Sequence, residues 1–283
     1  MGMNKAVIGK VHPPMEFEVN PKDFTYYAVS TNDYNNPYYW EESRAGGIIA
    51  PPMFAVVYGG ICIPAVILDK ELGMNVFVMV HGEQDIKFHK PVKYGMKLTS
   101  QAKVVNILDK GSGELCQFTI ATKDQTGELV AEALVGFFVR GGGSGKKDDK
   151  KEPEPAPGKT IFEVKKKVMS HQSYIYAWAS GDHNFIHVNP ENAVKIARLP
   201  GIILQGLCSM AMCQNAIIDS LAADRNPALL KRLAVRFSKP VLPNDELTIY
   251  GWETAAGSPR KIAFEAKKQD GTFVIKNGIA EIA

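Results

Sequence analysis

The spacing of apolar residues predicts both strands and helices along the chain. Apolar and polar side chains alternate over residues 247–252, as they do in a half-buried strand. Over residues 207–222 apolar side chains recur at helical spacing, which predicts a long helix, and residues 53–72 form a second helix candidate. Strands are predicted over residues 17–19, 75–82, 97–108, 114–123, 129–139, 162–168, 231–237, 246–253, 261–268 and 272–283.

These elements occur twice in the same order, because the sequence contains an internal repeat. A shift of 149 residues places the segment Phe-x-Lys-Pro-Val at 88–92 on the same pattern at 237–241. The same shift places Tyr27 on Tyr176. One shift that serves two distant places indicates two copies of one structural unit. A long helix combined with an antiparallel sheet, present twice, predicts an α+β architecture.

A segment without core-forming residues separates the two copies. Residues 141–159 are rich in Gly, then in charged residues, then in Pro, a composition that cannot bury a core. We therefore predict an exposed linker over 141–159, with an N-terminal unit over 1–140 and a C-terminal unit over 160–283.

Composition and charge exclude several classes of function. The chain has 33 Lys and Arg against 30 Asp and Glu, and this balance gives no indication of a nucleic-acid partner. No apolar run approaches the roughly 18 residues of a membrane span, and the N-terminus does not resemble a secretory signal. The four cysteines form no Cys-x-x-Cys pair, so we predict reduced, buried thiols in a cytoplasmic protein.

The motif with the clearest chemistry is Gly-Asp-x-Asn-x-x-His at residues 181–187. Asp182 and His187 are a carboxylate and an imidazole five residues apart, which can act together as an acid/base pair. Asn184 can hold the loop through hydrogen bonds from its side chain to the backbone. On spacing alone, a common turn followed by a packed core histidine explains the motif equally well.

The surroundings of this motif resemble a known family. Tyr176 and an apolar helix precede the motif, and Gly-Ile-Ile-Leu-Gln-Gly follows it at residues 201–206. This arrangement is similar to the MaoC-like, (R)-specific enoyl-CoA hydratases, whose larger members carry two hotdog units in one chain. The resemblance implies a double hotdog fold. Two positions depart from the family pattern, because Phe185 replaces a common Pro and Gln205 replaces a common His.

The resemblance also implies roles for individual residues. Asp182 and His187 would activate a water molecule that adds to trans-2-enoyl-CoA and gives (R)-3-hydroxyacyl-CoA, or would catalyse the reverse dehydration. Asn184 would orient the loop, and the backbone N–H of Gly206 would donate to the thioester oxygen. No metal or other cofactor is required. The residues expected to contact substrate are Gln205, Arg198, Arg236 and Lys239.

The first copy has a different set of residues at the matching positions. Under the 149-residue shift Tyr38 replaces His187. Five extra residues in the second copy then align residues 47–49 with 201–203, and Pro52, which lacks a backbone N–H, replaces Gly206. We therefore predict that the N-terminal unit is a degenerate copy that accommodates the acyl chain, as in double-hotdog relatives.

Two other functions fit parts of the sequence. A hotdog thioesterase would also bind acyl-CoA, but it would need a carboxylate on the central helix, and residues 206–218 contain no Asp or Glu. A non-catalytic acyl-CoA-binding subunit of a heteromeric dehydratase is the second alternative. The family suggests a homodimer, and the sequence indicates neither a nucleic-acid nor a membrane partner.

Overall fold

A computed structural model describes residues 2–44, 46–145 and 158–283 and contains one antiparallel sheet of ten strands. The strands are β1 Met15–Glu18, β2 Met79–Phe88, β3 Lys97–Asp109, β4 Gly113–Asp124, β5 Leu129–Arg140, β6 Thr160–Lys167, β7 Leu230–Phe237, β8 Glu246–Ala255, β9 Arg260–Lys268 and β10 Phe273–Ile282. They lie side by side in the order β1-β3-β4-β5-β2-β7-β10-β9-β8-β6.

The two copies meet where β2 pairs with β7. Asp85 lies opposite Ala234, the residue 149 positions later, so the two copies are related by an approximate two-fold axis at this pair. Both carboxylate oxygens of Asp85 accept hydrogen bonds from Arg232, at 2.9 and 2.7 Å, which ties the two strands together through side chains as well. The repeat in the sequence therefore becomes one continuous sheet.

Helices pack against this sheet. They are α1 Pro21–Ser30, α2 Ala55–Tyr58, α3 Ile63–Ile67, α4 Gln172–Ser180, α5 Phe185–Val188, α6 Pro190–Lys195 and α7 Gly206–Leu221. Helix α7 is the central helix of the C-terminal unit, and its residues 208–218 are all buried. Tyr27 on α1 and Tyr176 on α4, which match in the repeat, pack with their ring centroids 5.9 Å apart.

The predicted helix over residues 53–72 is wrong, because the structure has only short pieces there. Helix α2 ends before Gly59, a short 3₁₀ turn follows at Gly60–Cys62, and α3 ends at Ile67. A side chain does not fit at Gly59, since a Cβ there would lie 2.9 Å from the carbonyl oxygen of Ala55. Gly lowers helix stability and Pro64 lacks an N–H, so the first copy has a broken central helix.

The strand predicted over residues 75–82 is displaced in the structure. The Asn75 side chain accepts a hydrogen bond from the N–H of Phe77, at 3.1 Å, and starts a 3₁₀ turn before β2 begins at Met79. β2 continues to Phe88 through polar residues because it lies between β5 and β7, where partners such as Arg232 satisfy them. The other predicted strands agree with the structure within two residues at either end.

The architecture is the predicted one, two hotdog units of α+β type in a double hotdog. Of the predicted linker over 141–159, residues 146–157 lie outside the described residues. In the part of the chain that the structure describes, no helix is long and apolar enough to cross a membrane.

Candidate active site

Helix α4 brings Asp182 to the site through a left-handed turn at its C-terminus. Gly181 ends the helix with a φ of +79° and donates its N–H to the carbonyl of Ala177, at 2.9 Å. A residue with a side chain is disfavoured in this conformation, which explains the glycine. The N–H of Asp182 then donates to the hydroxyl of Ser180, at 3.2 Å, which fixes the start of the loop.

Asn184 orders the loop between the two candidate catalytic side chains. It is the N-cap of α5, where its Oδ1 accepts from the N–H of Ile186, at 3.3 Å. Its own N–H donates to Oδ1 of Asp182, at 3.3 Å, and its carbonyl accepts from the N–H of His187, at 2.9 Å. Asn184 therefore holds the carboxylate and the short helix that carries the imidazole.

The His187 ring is fixed at one nitrogen and faces Asp182 with the other. Nδ1 of His187 lies 2.7 Å from the carbonyl oxygen of Ile203, so Nδ1 carries a hydrogen and donates it. Nε2 lies 3.8 Å from Oδ2 of Asp182, too far for a direct hydrogen bond but close enough for both groups to contact one water molecule. The structure thus brings the two predicted residues together.

Burial determines the charge state of His187. Its side chain is almost completely enclosed, and burial lowers its pKa below the ordinary value of 6.5, while the Asp182 carboxylate acts in the opposite direction. The imidazole is neutral near pH 7, with Nε2 free to accept a proton. The Asp182 side chain is 41% exposed, so the carboxylate lies at the solvent side of the pair.

Gln205 connects the loop to helix α4. Its side chain is buried, and its Nε2 donates to the carbonyls of Ser173, at 3.1 Å, and Asp182, at 3.3 Å. Its Oε1 is buried without a hydrogen-bond partner among the described residues. The amide nitrogen therefore positions the backbone of Asp182.

Gly206 begins α7 directly after Gln205. Its N–H makes no hydrogen bond to any residue that the structure describes, as is usual in the first turn of a helix. A Cβ built at Gly206 would lie 3.1 Å from two ring carbons of Phe237, so the ring covers this end of the helix. The free N–H at the positive end of a helix dipole is a donor suited to a developing negative charge.

Sequence reasoning missed His81, which the first copy contributes to the wall of this site. Its ring centroid lies 5.1 Å from that of Phe237 and 4.8 Å from that of Phe137. Burial lowers the pKa of His81 to about 4, and the charge of Asp182 opposes this shift. A single histidine in a strand has no spacing pattern, and only the pairing of β2 with β7 brings it here.

The predicted phosphate-binding cations lie on the surface. Arg198, Arg236 and Lys239 are exposed, and they form no ion pair with the acidic residues of the described ranges. The backbone near Lys239 is close to the site, because the N–H of Leu204 donates to the carbonyl of Val241, at 2.8 Å.

The equivalence of Tyr38 and His187 is wrong by one residue. In the second copy Ile203 donates its N–H to the carbonyl of Ile186, at 3.1 Å, and in the first copy Ile49 donates to the carbonyl of Tyr38, at 3.0 Å. Tyr38 therefore matches Ile186, and the next residue, Tyr39, matches His187. The first copy has one residue more than the second before this turn, so the 149-residue shift no longer aligns the two copies here.

The first copy has a closed pocket where the second copy has the pair. Asp33 is buried, and burial together with the charge of Asp219 raises its pKa to about 8. Nε2 of Gln214 on α7 donates to it, at 3.4 Å. Burial and the adjacent Asp33 also raise the pKa of the buried Tyr39 well above its ordinary value. Asp33 and Tyr39 are only 3% and 2% exposed, whereas the Asp182 side chain in the second copy is 41% exposed.

Two family models match the chain, one in each unit. The model described as MaoC like domain matches residues 152–272, which include Asp182, His187 and Gly206. The model described as FAS1-like, dehydratase domain region matches residues 6–133 of the N-terminal unit.

Similar proteins cover nearly the whole chain. 3-Hydroxyacyl-thioester dehydratase Y of Mycobacterium tuberculosis is 30% identical over 91% of this chain and 90% of its own. A Dictyostelium discoideum protein named Probable enoyl-CoA hydratase 2 is 27% identical over 98% of this chain and 96% of its own. A MaoC-like dehydratase from Phytophthora capsici shares the fold, with a TM-score of 0.83, 24% identity, and coverage of 99% and 98% of the two chains. The chain therefore belongs to the MaoC-like dehydratase family and is an enzyme of its hydratase and dehydratase class.

Proposed function

We propose that this enzyme hydrates trans-2-enoyl-CoA to (R)-3-hydroxyacyl-CoA and catalyses the reverse dehydration. The observation that carries the proposal is the geometry of Asp182 and His187, whose free oxygen and nitrogen lie 3.8 Å apart. Gln205, which binds the Asp182 carbonyl, directly precedes Gly206 and its unpaired N–H. The names of the relatives from Mycobacterium tuberculosis and Dictyostelium discoideum support the same chemistry. The R configuration is part of the proposal and follows from the family resemblance.

In the hydration direction, Asp182 and His187 hold one water molecule between them. Neutral His187 accepts a proton from this water at Nε2, because Nδ1 is already a donor to Ile203. The oxygen of the water forms a bond to C3 of the substrate, and the electrons of the C2–C3 double bond move toward the thioester. C2 then takes up one proton from the same pair of side chains, so the substrate gains one water in total.

The thioester oxygen carries the negative charge that develops during this addition. We assign the N–H of Gly206 as its donor, because this N–H is free and lies at the first turn of α7. Removal of one donor of this kind commonly lowers the rate by ~10²–10³. Phe237 and His81 cover the same region and limit the access of water.

The acyl chain would enter a cleft in the N-terminal unit. An open cleft lies between the broken helix and the sheet, and Leu207, the residue after Gly206, forms part of its wall. The wall is mostly apolar, and Ala131 and Ala133 on β5 leave room opposite Gly59 and Gly60. An apolar cleft suits a hydrocarbon chain. The degenerate first copy would thus serve substrate binding.

The diphosphate and phosphate groups of CoA require positive charge near the mouth of the site. Arg198, Arg236 and Lys239 remain our candidates, because they are exposed and not neutralised by acidic partners in the described ranges. Gln205 acts as a positioning residue in this proposal, because its amide nitrogen binds the Asp182 backbone. The homodimer and the cytoplasmic location stay predictions.

An assay with crotonyl-CoA tests the proposal against the thioesterase alternative. Hydration consumes the double bond and leaves the thioester intact, so we expect loss of enoyl absorbance without release of free CoA thiol. Chiral analysis should then find the R product. The thioesterase alternative requires thiol release, and a binding subunit requires neither change. The nearest carboxylate on α7, Asp219, is bound to Arg225 at 2.7 Å, which disfavours hydrolysis.

A further inference from the structure

A second cleft lies directly beyond the proposed acyl cleft. It is lined by residues that end β2 and follow it, such as Phe88 and Pro91, together with Pro51 and Pro52. On the far side it reaches Leu230, the first residue of β7. Nothing in the proposed reaction uses this space.

Tyr58 separates the two clefts. Among the residues that the structure describes, it is the one that lines both of them. The residue is only 3% exposed, so it is enclosed between them. It therefore lies between the cleft that Leu207 lines and the second cleft.

The surroundings of Tyr58 hold it in this place. It is the last residue of α2, and its carbonyl accepts a hydrogen bond from the hydroxyl of Ser100, at 3.1 Å. Its ring packs edge-on against Phe54, with centroids 5.8 Å apart. Its own hydroxyl makes no hydrogen bond within the described part of the chain. Packing therefore positions the ring, and no hydrogen bond of the hydroxyl to a described residue contributes to its position.

We infer that Tyr58 limits the length of the acyl chain that the enzyme accepts. This inference rests on the proposed hydration of enoyl-CoA and adds a specificity-determining residue to it. An acyl chain that follows the cleft from Leu207 meets the Tyr58 ring at its end. A longer chain must displace the ring or remain partly in water, and methylenes left outside an apolar pocket lose the stabilisation that burial gives. Without the ring, the second cleft extends the first.

Chain-length profiles of Tyr58→Ala and Tyr58→Leu test this inference. We would measure kcat/KM for crotonyl-CoA and for trans-2-enoyl-CoA thioesters up to sixteen carbons. The wild type should lose efficiency beyond a certain length. Both variants should raise the ratio of long-chain to crotonyl-CoA efficiency at least ~10-fold, since one methylene in a pocket changes discrimination by about 10-fold or more. Tyr58→Leu keeps an apolar side chain and guards against loss of folding in Tyr58→Ala.

Two control variants distinguish the role of the Tyr58 ring as a partition from a general effect of substitution on the fold. Tyr58→Phe keeps the ring and should keep the wild-type ratio. Met212 on α7 matches Tyr58 of the first copy when residues 47–49 are aligned with 201–203. Met212 is fully buried in the core. Met212→Ala should therefore lower stability without a change in the ratio.

The outcomes distinguish this inference from the proposed function. If the wild type hydrates crotonyl-CoA and both Tyr58 variants keep its chain-length ratio, the partition is refuted and the proposed function stands. A wild type with no preference among chain lengths also refutes the partition. If the wild type hydrates no enoyl-CoA, the proposed function itself fails.

Discussion

Nε2 of His187 lies 3.8 Å from Oδ2 of Asp182, while Nδ1 of the same ring is held by the carbonyl of Ile203. The backbone therefore fixes the tautomer and the ring orientation, and the carboxylate stays free to contact solvent and substrate. A direct His–Asp hydrogen bond would leave no place for water. The gap between the two groups is the feature that suits addition of water to a double bond.

The acid side of the pH profile follows from the state of His187. Burial lowers its pKa below 6.5, so the imidazole stays neutral until the pH falls below this value. Because the neutral form accepts the proton during hydration, we expect kcat/KM to be constant near pH 7 and to decrease only below pH 6.5. Initial rates with crotonyl-CoA from pH 5 to pH 8 measure this. A decrease that begins above pH 7 is inconsistent with a neutral His187.

Gly206→Pro removes one backbone N–H with little change in local conformation. Gln205 before Gly206 has φ −57° and ψ 133°, and Pro51 before Pro52 has φ −52° and ψ 135°. The first copy thus shows that proline fits at this position, which is also the first residue of the helix. We expect kcat to fall by ~10²–10³.

Gly206→Ala is the matched control for this variant. It introduces the same Cβ against Phe237 but keeps the N–H. Its steady-state rate with crotonyl-CoA should therefore exceed that of Gly206→Pro by most of the ~10²–10³ that we expect for loss of the N–H. Equal rates in the two variants would mean that the N–H of Gly206 is not the thioester donor.

Asp33→Asn should stabilise the protein increasingly as the pH rises. The folded state keeps a proton on Asp33 up to about pH 8, whereas the unfolded chain loses it near pH 4. Between these values the folded state binds more protons, so the stability of the wild type falls with rising pH. Asparagine does not titrate, and its oxygen can still accept from Gln214.

Urea unfolding at several pH values measures the effect of Asp33→Asn. The free energy of unfolding of the variant should exceed that of the wild type by an amount that grows by up to ~1.4 kcal/mol per pH unit between about pH 4 and pH 8, and then levels off. Hydration of crotonyl-CoA should be unaffected, because this pocket is closed. A constant difference at all pH values would show that Asp33 does not titrate in this range.

The sequence predicted most strands, the repeat and the motif in which the structure brings Asp182 and His187 together. Alternation and helical spacing are local properties, and α7 and most strands have the predicted bounds within two residues. The break in the first central helix was not predicted, although Gly59, Gly60 and Pro64 stand in it. The apolar character of residues 53–72 favoured one continuous helix in spite of these three residues. The cleft that the break leaves depends on the sheet residues that pack opposite, which local sequence does not show.

Other features depend on contacts between distant residues. His81 reaches the site only because β2 pairs with β7 across the two copies. The match of Tyr39, not Tyr38, to His187 appears in backbone hydrogen bonds and not in a fixed shift. Tyr58 separates two clefts because of where the broken helix places it. None of these relations has a signature in local composition.

The hydration rate of Asp182→Asn tests the central claim most directly. Asparagine keeps the size of the side chain and an oxygen for the N–H of Asn184, and the side chain is 41% exposed, so the fold should be unchanged by circular dichroism. The neighbouring exposed His183 provides a control as His183→Gln, which should keep the wild-type rate. We predict that Asp182→Asn lowers kcat/KM for crotonyl-CoA by at least ~10². A folded Asp182→Asn enzyme with nearly wild-type activity would contradict the account.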